Sequence, residues 1–402
     1  MKNRTLFLKE IISTFLILGT FNTIAQDIRI SLEEAIEIGI NNNAGILSDQ
    51  YRIEQNSVLS ESGLSNNATQ IVFTGEEFGA EGYTGLYSLN VQQNFNLPKA
   101  HSIQKEYYLS TKNLAEKQLV LTRKALVKEI TKAYISLQYA KQNQELLMRF
   151  TALNEDFNRV TKLRFETGET GIIPKVVAET GLMEARLEET NGISDYENAR
   201  IIFNQWLRTE DNYDVQGELS TSVVLDIDSL FPENPHMLFL AAKNQVASAR
   251  INQSRAQLLP QINSGLMLQT TSGAFPLFGF QIGINLPLFN KNTKQKIEAS
   301  ELGLKIQEEE NREQAKRMRL AIESLMNNML KKQNTIKQLD ESIKPLLLEL
   351  KDISFVAYQE GEISYLEYLN GFEQLMSMNK RLLKAQYEFH LLKADLEYLL
   401  SN

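Results

Sequence analysis

The sequence predicts a mainly α-helical, internally duplicated chain in which pairs of two-sided β-strands interrupt very long helices. Three observations predict it. Landmarks recur in the same order about 190 residues apart. Apolar residues step by threes and fours over long stretches. Period-two alternation precedes both Pro98 and Pro287.

Length and composition set the frame. A chain of 402 residues has room for two or three ordinary domains. Its net charge is −8 and it has no dense Lys/Arg run, which argues against a nucleic-acid partner. The absence of cysteine excludes disulfides, thiolate metal sites, a cysteine nucleophile and an acylated amino-terminal cysteine. The three histidines, His101, His236 and His390, are too far apart in sequence for a local metal motif. At the amino end, Lys2, Arg4 and Lys9 precede the apolar stretch Ile11 to Leu18 and the small-residue site Thr23-Ile24-Ala25. That layout predicts a signal peptide over 1–25 and an exported mature chain from about Gln26.

The duplication organises the rest. Gln70-Ile71 recurs as Gln261-Ile262, Asn96-Leu97-Pro98 as Asn285-Leu286-Pro287, and Phe165-(x)2-Gly168-Glu169 as Tyr358-(x)2-Gly361-Glu362. The first repeat spans 26–209: a helix, a hairpin at about 68–98, a long helix at about 99–167, a tip turn and a helix at about 174–208. A polar connector occupies 210–233. The second repeat spans 234–402, with a hairpin at about 260–288, a long helix at about 289–359 and a returning helix at about 364–400.

The long helices have coiled-coil spacing. No proline lies between Pro98 and Pro174, a run that as a helix would measure about 100 Å. Leu119, Leu126, Ala133, Ala140 and Leu147 recur every seventh position. In the second repeat Ile322, Leu325, Met329, Lys332, Ile336, Leu339, Ile343, Leu346, Leu350 and Ile353 alternate threes and fours without a slip. Such stripes need partner helices along their whole length. Pro345 interrupts this run by removing one backbone hydrogen bond, and it should bend the axis.

The strands have one apolar and one polar side. Tyr87, Leu89, Val91, Gln93, Phe95 and Leu97 alternate with Ser88, Asn90, Gln92, Asn94 and Asn96; Phe278, Phe280, Ile282, Ile284, Leu286 and Leu288 alternate with Gly279, Gln281, Gly283 and Asn285. Alternation over about ten residues fits a transmembrane strand with lipid on one side and water on the other; a half-buried hairpin of a soluble domain gives the same alternation, but the hairpin occurs twice in a chain with an export signal. Leu89, Val91, Phe95, Phe280, Ile282 and Ile284 are the expected lipid-facing residues. Four strands cannot close a barrel alone, because unpaired edges are not tolerated in lipid. Two copies would give eight strands and a filled interior, so a wet lumen requires three or more.

This order of elements resembles the TolC-type outer-membrane efflux protein family over nearly all of residues 31–400. The residues that carry the resemblance are Ser31-Leu32-(x)2-Ala35-(x)5-Asn41, the junctions at Pro98 and Pro287, and the segments Arg164-Phe165-(x)2-Gly168-(x)3-Ile172 and Tyr358-(x)2-Gly361-(x)4-Leu366. The resemblance implies a homotrimer: four strands per subunit in one shared 12-stranded barrel, and long helices forming a periplasmic α-barrel tunnel. It implies a passive exit duct in the outer membrane, fed by an inner-membrane pump through a periplasmic adaptor. The pump expected here is of the resistance–nodulation–division type for cations or drugs. A protein-secretion duct is one alternative, and a soluble coiled-coil adaptor or scaffold without a barrel is another.

The resemblance further implies adaptor docking at the tips, placing Arg164, Gly168, Glu169, Ile172, Pro174, Tyr358, Gly361, Glu362, Ile363 and Tyr365 in that role. Relatives carry two acidic residues just past the second tip, at positions matching Glu367 and Asn370 here. Three copies of Glu367 would ring the tunnel mouth with negative charge; Asn370 departs from the pattern. No Ser–His–Asp ordering, Gly-rich phosphate loop or carboxylate–His motif suggests an enzyme, and no cofactor is expected. Met318, Met326, Met329, Met376 and Met378 fall in helical seams, where methionine is a filler rather than a ligand.

Overall fold

A computed structural model describes residues 28–62, 68–76, 85–217, 234–271 and 274–400. The leader 1–25, most of the connector 210–233 and the hairpin turns at 77–84 and 272–273 lie outside those residues. In chain order the elements are β1 (Ile28–Ile30), α1 (Leu32–Asn41), α2 (Ala44–Glu61), β2 (Gln70–Glu76), β3 (Leu86–Asn96), α3 (Pro98–Glu166), α4 (Ile172–Leu207) and β4 (Tyr213–Val215). Then come α5 (Pro235–Ala256), β5 (Gln261–Thr271), β6 (Ala274–Asn285), α6 (Lys291–Lys337), a π-helical turn (Gln338–Ile343), α7 (Lys344–Gln359) and α8 (Tyr365–Leu400). The fold class expected from the sequence is the one observed: mainly helical, with four strands in one sheet.

The first repeat opens differently from expectation. Instead of one helix there is a short strand and two helices, because Asn42 and Asn43 interrupt the backbone. Ser31 starts α1 with a capping box: Glu34 N–H donates to Ser31 Oγ at 3.2 Å, and Ser31 N–H donates to Glu34 Oε2 at 2.7 Å. Asn43 then caps α2, its Oδ1 accepting from the N–H groups of Gly45 and Ile46.

The chain divides into two units, with α3 contributing to both. One unit takes residues from 1–42 and 136–218. Within it β1 pairs in parallel with β4, Ile28 opposite Tyr213 and Ile30 opposite Val215. The connector read from sequence as polar thus holds, near its start, a strand of three buried residues. Asp214 is buried there, and it is matched by the ammonium of Lys141, by Arg29 at 4.0 Å and by the Val215 N–H at 2.8 Å. A buried carboxylate without such partners would be strongly destabilising. Leu137, Ala140, Leu147 and Phe157 of α3 and Ala178, Leu182, Ala185 and Phe203 of α4 form the buried seam. Gly192 allows a close approach: a Cβ there would stand 2.7 Å from Leu147 Cδ1.

The other unit takes residues from 43–135 and 219–402 and holds the sheet. Its α5 meets α6 through Asn311, whose Nδ2 donates to Leu240 O and Asn244 Oδ1, both at 2.8 Å. The α6–α8 seam is apolar. Ile322, Met329, Phe389, Leu396 and Leu400 form one buried cluster, with Met318, Leu325, Met326 and Ile336 packed on it. Leu339, Leu375, Met378 and Leu382 form the next.

The unbroken stripe expected in the second long helix is corrected beyond Leu339. The π turn at 338–343 adds one residue to the helical repeat. Leu347 packs against the seam in place of Leu346, while Ile343, Leu346 and Ile353 are exposed, Leu346 by 66%. Pro345 sits in the first turn of α7, just past the π turn. A proline inside uninterrupted α-helix costs about 3 kcal/mol through its missing N–H and its clash with the carbonyl four residues back. The extra residue relieves that conflict.

A feature that escaped the sequence reading closes each repeat. Asn42 Nδ2 donates to Leu207 O, the last residue of α4, at 3.1 Å. Asn234 Nδ2 donates in the same way to Leu399 O, one residue from the end of α8, while its Oδ1 caps α5 by accepting from His236 N–H at 2.8 Å. The two asparagines and the two leucines are each 192 residues apart (234 − 42; 399 − 207). Asn234 is wholly buried and Asn42 is exposed.

Candidate functional site: a two-sided strand wall and two helix tips

The four strands form one antiparallel sheet in the order β2-β3-β5-β6. Directly opposed residues point to the same face, so the register fixes both faces. One face carries the rows Phe73–Leu89–Leu268–Phe278, Ile71–Val91–Leu266–Phe280 and Phe95–Ile262–Ile284. Gln93–Ser264–Ile282 lies between them as the one mixed row. The other face carries Thr74–Ser88–Gln269–Leu277, Val72–Asn90–Met267–Gly279, Gln70–Gln92–Gly265–Gln281, Asn94–Asn263–Gly283 and Asn96–Gln261–Asn285, polar apart from Val72, Met267 and Leu277 and the glycines. All six residues expected to meet lipid therefore share one face.

That apolar face is open. Phe280 is 82% exposed and Val91 37%, because Val91 is flanked on both sides by Ile71 and Leu266 whereas Phe280, on an outer strand, has only Leu266 beside it. Aromatic residues gather at one end, where Phe73 stacks on Tyr87 with centroids 5.9 Å apart. Tyr87 and Phe95 are eight residues apart, about 27 Å along a strand. Even when tilted, that covers most of a ~25 Å apolar membrane band.

The polar face is tightly built. Asn263 Nδ2 donates to Asn285 Oδ1 at 3.1 Å, and Gln261 Nε2 donates to Asn96 Oδ1 at 2.9 Å. A Cβ at Gly283 would lie 2.5 Å from Asn263 Oδ1, so any side chain there would push the Asn263 amide out of its present place in the row. Among the described residues, no strand pairs with the outer edge of β2 or of β6, and no helix is long and apolar enough to cross a membrane.

The two tip turns have the same backbone. In the first, Gly168 has φ +78°; the N–H groups of Thr167, Gly168, Glu169 and Thr170 donate to Leu163, Phe165, Arg164 and Arg164. In the second, Gly361 has φ +77°; the N–H groups of Glu360, Gly361, Glu362 and Ile363 donate to Val356, Tyr358, Ala357 and Ala357. Every position is shifted by 193 (361 − 168). Positive φ is the reason for glycine here, since nothing lies within 4 Å of either Cβ position.

Around the first turn, Arg164 faces Glu169 at 3.9 Å and Lys175 stands over the Phe165 ring at 5.0 Å. Ile172 and Ile173 are exposed. The returning helix starts at Ile172, two residues before the expected position, which puts Pro174 third in its first turn. Around the second turn, Tyr358 stacks on Tyr368 at 5.4 Å and 6°. Glu362 is exposed and Ile363 half-buried. Tyr365 is the first residue of α8.

Glu367 and Asn370 lie on the exposed side of α8, between them the buried Tyr368 and Leu369. Glu367 has a local structural task that the sequence reading did not include. Its Oε2 accepts from Ser364 N–H at 2.7 Å and Ser364 Oγ at 2.8 Å, and its own N–H donates back to Ser364 Oγ at 3.3 Å. The backbone and hydroxyl of Ser364 hold the carboxyl below its ordinary value. The pattern Ser-x-x-Glu marks such a box in the sequence. Among the described residues, no three His, Asp or Glu side chains cluster as a metal site would require.

Residues 227–401 match the family described as outer membrane efflux protein. A comparison with curated proteins finds no match. Solved structures of channels share the fold at low identity. CusC, from a study of folding and transmembrane channel formation, is similar with TM-score 0.79 and 15% identity over 94% of each chain. The Campylobacter jejuni CmeC outer membrane channel gives 0.77 and 13%, over 92% of this chain and 85% of that one. The Vibrio cholerae outer membrane protein VceC gives 0.74 and 15%, over 92% and 96%. The second repeat thus matches the outer membrane efflux protein family, and the whole chain shares the fold of the solved channels.

Proposed function

We propose that three copies of this chain form a passive exit duct in the outer membrane. The observation that carries the reading is the sheet with one apolar face, one amide-lined face and two open edges. Lipid does not tolerate open edges. An even number of alternating strands leaves β6 antiparallel to β2 of the next copy, so a head-to-tail ring closes without reversing a strand. Three copies give 12 strands, beyond the eight whose interior side chains fill. The amide face then lines a wet bore, and no chemistry on the cargo is required of the chain.

In this reading the helices extend the bore into the periplasm, where the turns at Gly168 and Gly361 receive an adaptor that links the duct to an inner-membrane pump. The short connector between repeats favours a pump of the resistance–nodulation–division type carrying cations or drugs. Glu367, with Asn370 one turn along, rings the inner mouth and favours cations.

Membrane fractionation followed by unheated and heated gels tests the assembly. Recovery in the outer membrane as a trimer that dissociates on heating is expected; a monomer soluble without detergent overturns the duct. Glu367→Gln tests the ring in planar bilayers. Glutamine can still serve a capping box while the charge is lost, so reduced cation preference is expected with the tip intact. Unchanged selectivity removes Glu367 from the mouth.

A further inference from the structure

The start of α5 meets the end of α8 at a joint that closes the second repeat. Asn234 ties the two by its bond to the Leu399 carbonyl, and His236 follows as the second residue of α5. The His236 ring meets the Tyr398 ring edge-on, with centroids 5.0 Å apart. Its Nε2 is sealed from solvent and has no hydrogen-bond partner among the described residues. That seal is made within one chain, so the assembly of further copies leaves it in place.

A neutral ring suits this position and a charged one does not. Neutral imidazole leaves one nitrogen as an acceptor, whereas the charged ring has an N–H on both, and a buried charged N–H without a partner is costly. Burial holds the pKa of the ring below the ordinary histidine value, against the pull of a hydrogen bond to the Tyr398 backbone, and Lys124 of α3 lowers it further. The first turn of α5 also disfavours a cation through the helix dipole. The carboxylates nearby have cations of their own. On α3, Lys128 stands 4.6 Å over the Tyr398 ring and pairs with Glu129 at 3.0 Å. On α6, Arg317 lines the cavity beside the ring and pairs with Glu313 at 2.8 Å. On α8, Asp395 pairs with Lys132 and Glu397 with Lys393. The next charge along α5 is Lys243, which stands over the Phe239 ring. In the first repeat the counterpart of His236 is Ala44 (236 − 192), which cannot titrate.

We propose that His236 is an acid-sensitive latch: its neutral ring locks the start of α5 to the end of α8, and an added proton releases them. An open joint returns the ring to its ordinary value of about 6.5, so the open form binds the proton more readily than the closed one. The latch is complete above that value and is lost as pH falls from it through the lowered one. It works within each copy, whatever number assembles.

Hydrogen exchange of the full-length protein, corrected for the intrinsic pH dependence of amides, reads the latch at 236–241 and 395–400. Protection there should fall several-fold from about pH 7.5 to about pH 5, a span that crosses the ordinary histidine value, while 203–207 at the first clasp keeps its protection. His236→Gln retains a side-chain N–H for the Tyr398 backbone but has no proton to gain, so the dependence should vanish. His390 is the comparison. Burial, then Lys393, lowers its pKa as well, but it lies eight residues before Tyr398, about 12 Å along α8, so His390→Gln should keep the dependence. The latch is overturned if the joint is equally protected at both pH values, or if the dependence persists in His236→Gln. Should the glutamine chain not fold, NMR of ring-labelled histidines in the native chain decides, with the three signals assigned through His101→Gln and His390→Gln. Titration of His236 below about 6.5, in step with the loss of protection, bears the latch out; titration at or above it overturns it.

Discussion

At the two tips the same four backbone hydrogen bonds recur 193 residues apart, around glycines whose φ differs by one degree. The helices on either side of those turns are not alike. The approach to the first is a single 69-residue helix, whereas the approach to the second passes through a π turn and Pro345. The return differs as well: Ser364 and Glu367 cap α8, while their counterparts before α4 are Gly171, with no side-chain cap, and Pro174. Pro174 has neither a carboxylate nor an N–H, so a capping box cannot exist there. Turn geometry is a local property of one left-handed residue and survives duplication unchanged. Helix phase is set by a seam many residues long, and there the repeats have diverged.

The strand wall gives the largest test of how far the repeats remain equivalent. Val91 lies in a middle row and Ile284 nearer the proline junction, on an outer strand. Val91→Arg should cost about 2–4 kcal/mol of insertion at mid-membrane depth, and Ile284→Arg less, because the penalty falls towards the interfaces. Trimer yield and urea resistance in lipid measure both. Equal losses would mean that the two rows lie at the same depth.

The asparagine clasps come next. Asn234→Ala removes a helix cap and also strips the bond from the Leu399 carbonyl at a buried site, a combined loss of about 2–3 kcal/mol. Asn42→Ala removes one bond at an exposed site, about 0.5–1.5 kcal/mol. Thermal unfolding of the purified variants should show the difference. Equal midpoints would assign the stability to the shared carbonyl bond and none to the extra cap.

How much of this was legible in the sequence depended on the range of the interaction. Leu89, Val91 and Phe95 announced their face because the strand period is two and the register keeps it. Gly168 and Gly361 announced turns because positive φ selects glycine. The sequence stripe through Ile343, Leu346 and Ile353 misled because periodicity counts residues and assumes 3.6 per turn, and a π turn breaks that assumption without changing composition. Pro345 was the visible signal; the missing inference was that proline could shift phase as well as bend the axis. Asn42 and Asn234 gave no local pattern, since their partners lie 165 residues away. Glu367 was legible twice over, as a Ser-x-x-Glu box and through the family resemblance, and only the second was read.

The capping box gives the smallest expected effect and separates the tips most cleanly. Ser364→Ala should weaken the start of α8 by about 1 kcal/mol, seen as faster hydrogen exchange at Leu366–Tyr368 with Ile173–Lys175 unaffected. Acid should do the same through Glu367. Its carboxyl is held below its ordinary value, so the contribution is complete above the usual glutamate range, about 4.3, and disappears as pH falls through the lowered value. Exchange at the second tip should therefore accelerate below that range, and acid should not accelerate the first tip through a cap. Glu367→Gln should remove the pH dependence while keeping most of the protection, because an amide oxygen can still accept from the Ser364 N–H and has no proton to gain in this range. If the glutamine chain frays at neutral pH as fast as Ser364→Ala does, the carboxylate charge itself holds the turn, and the conductance effect of the same substitution could no longer be separated from a loosened tip.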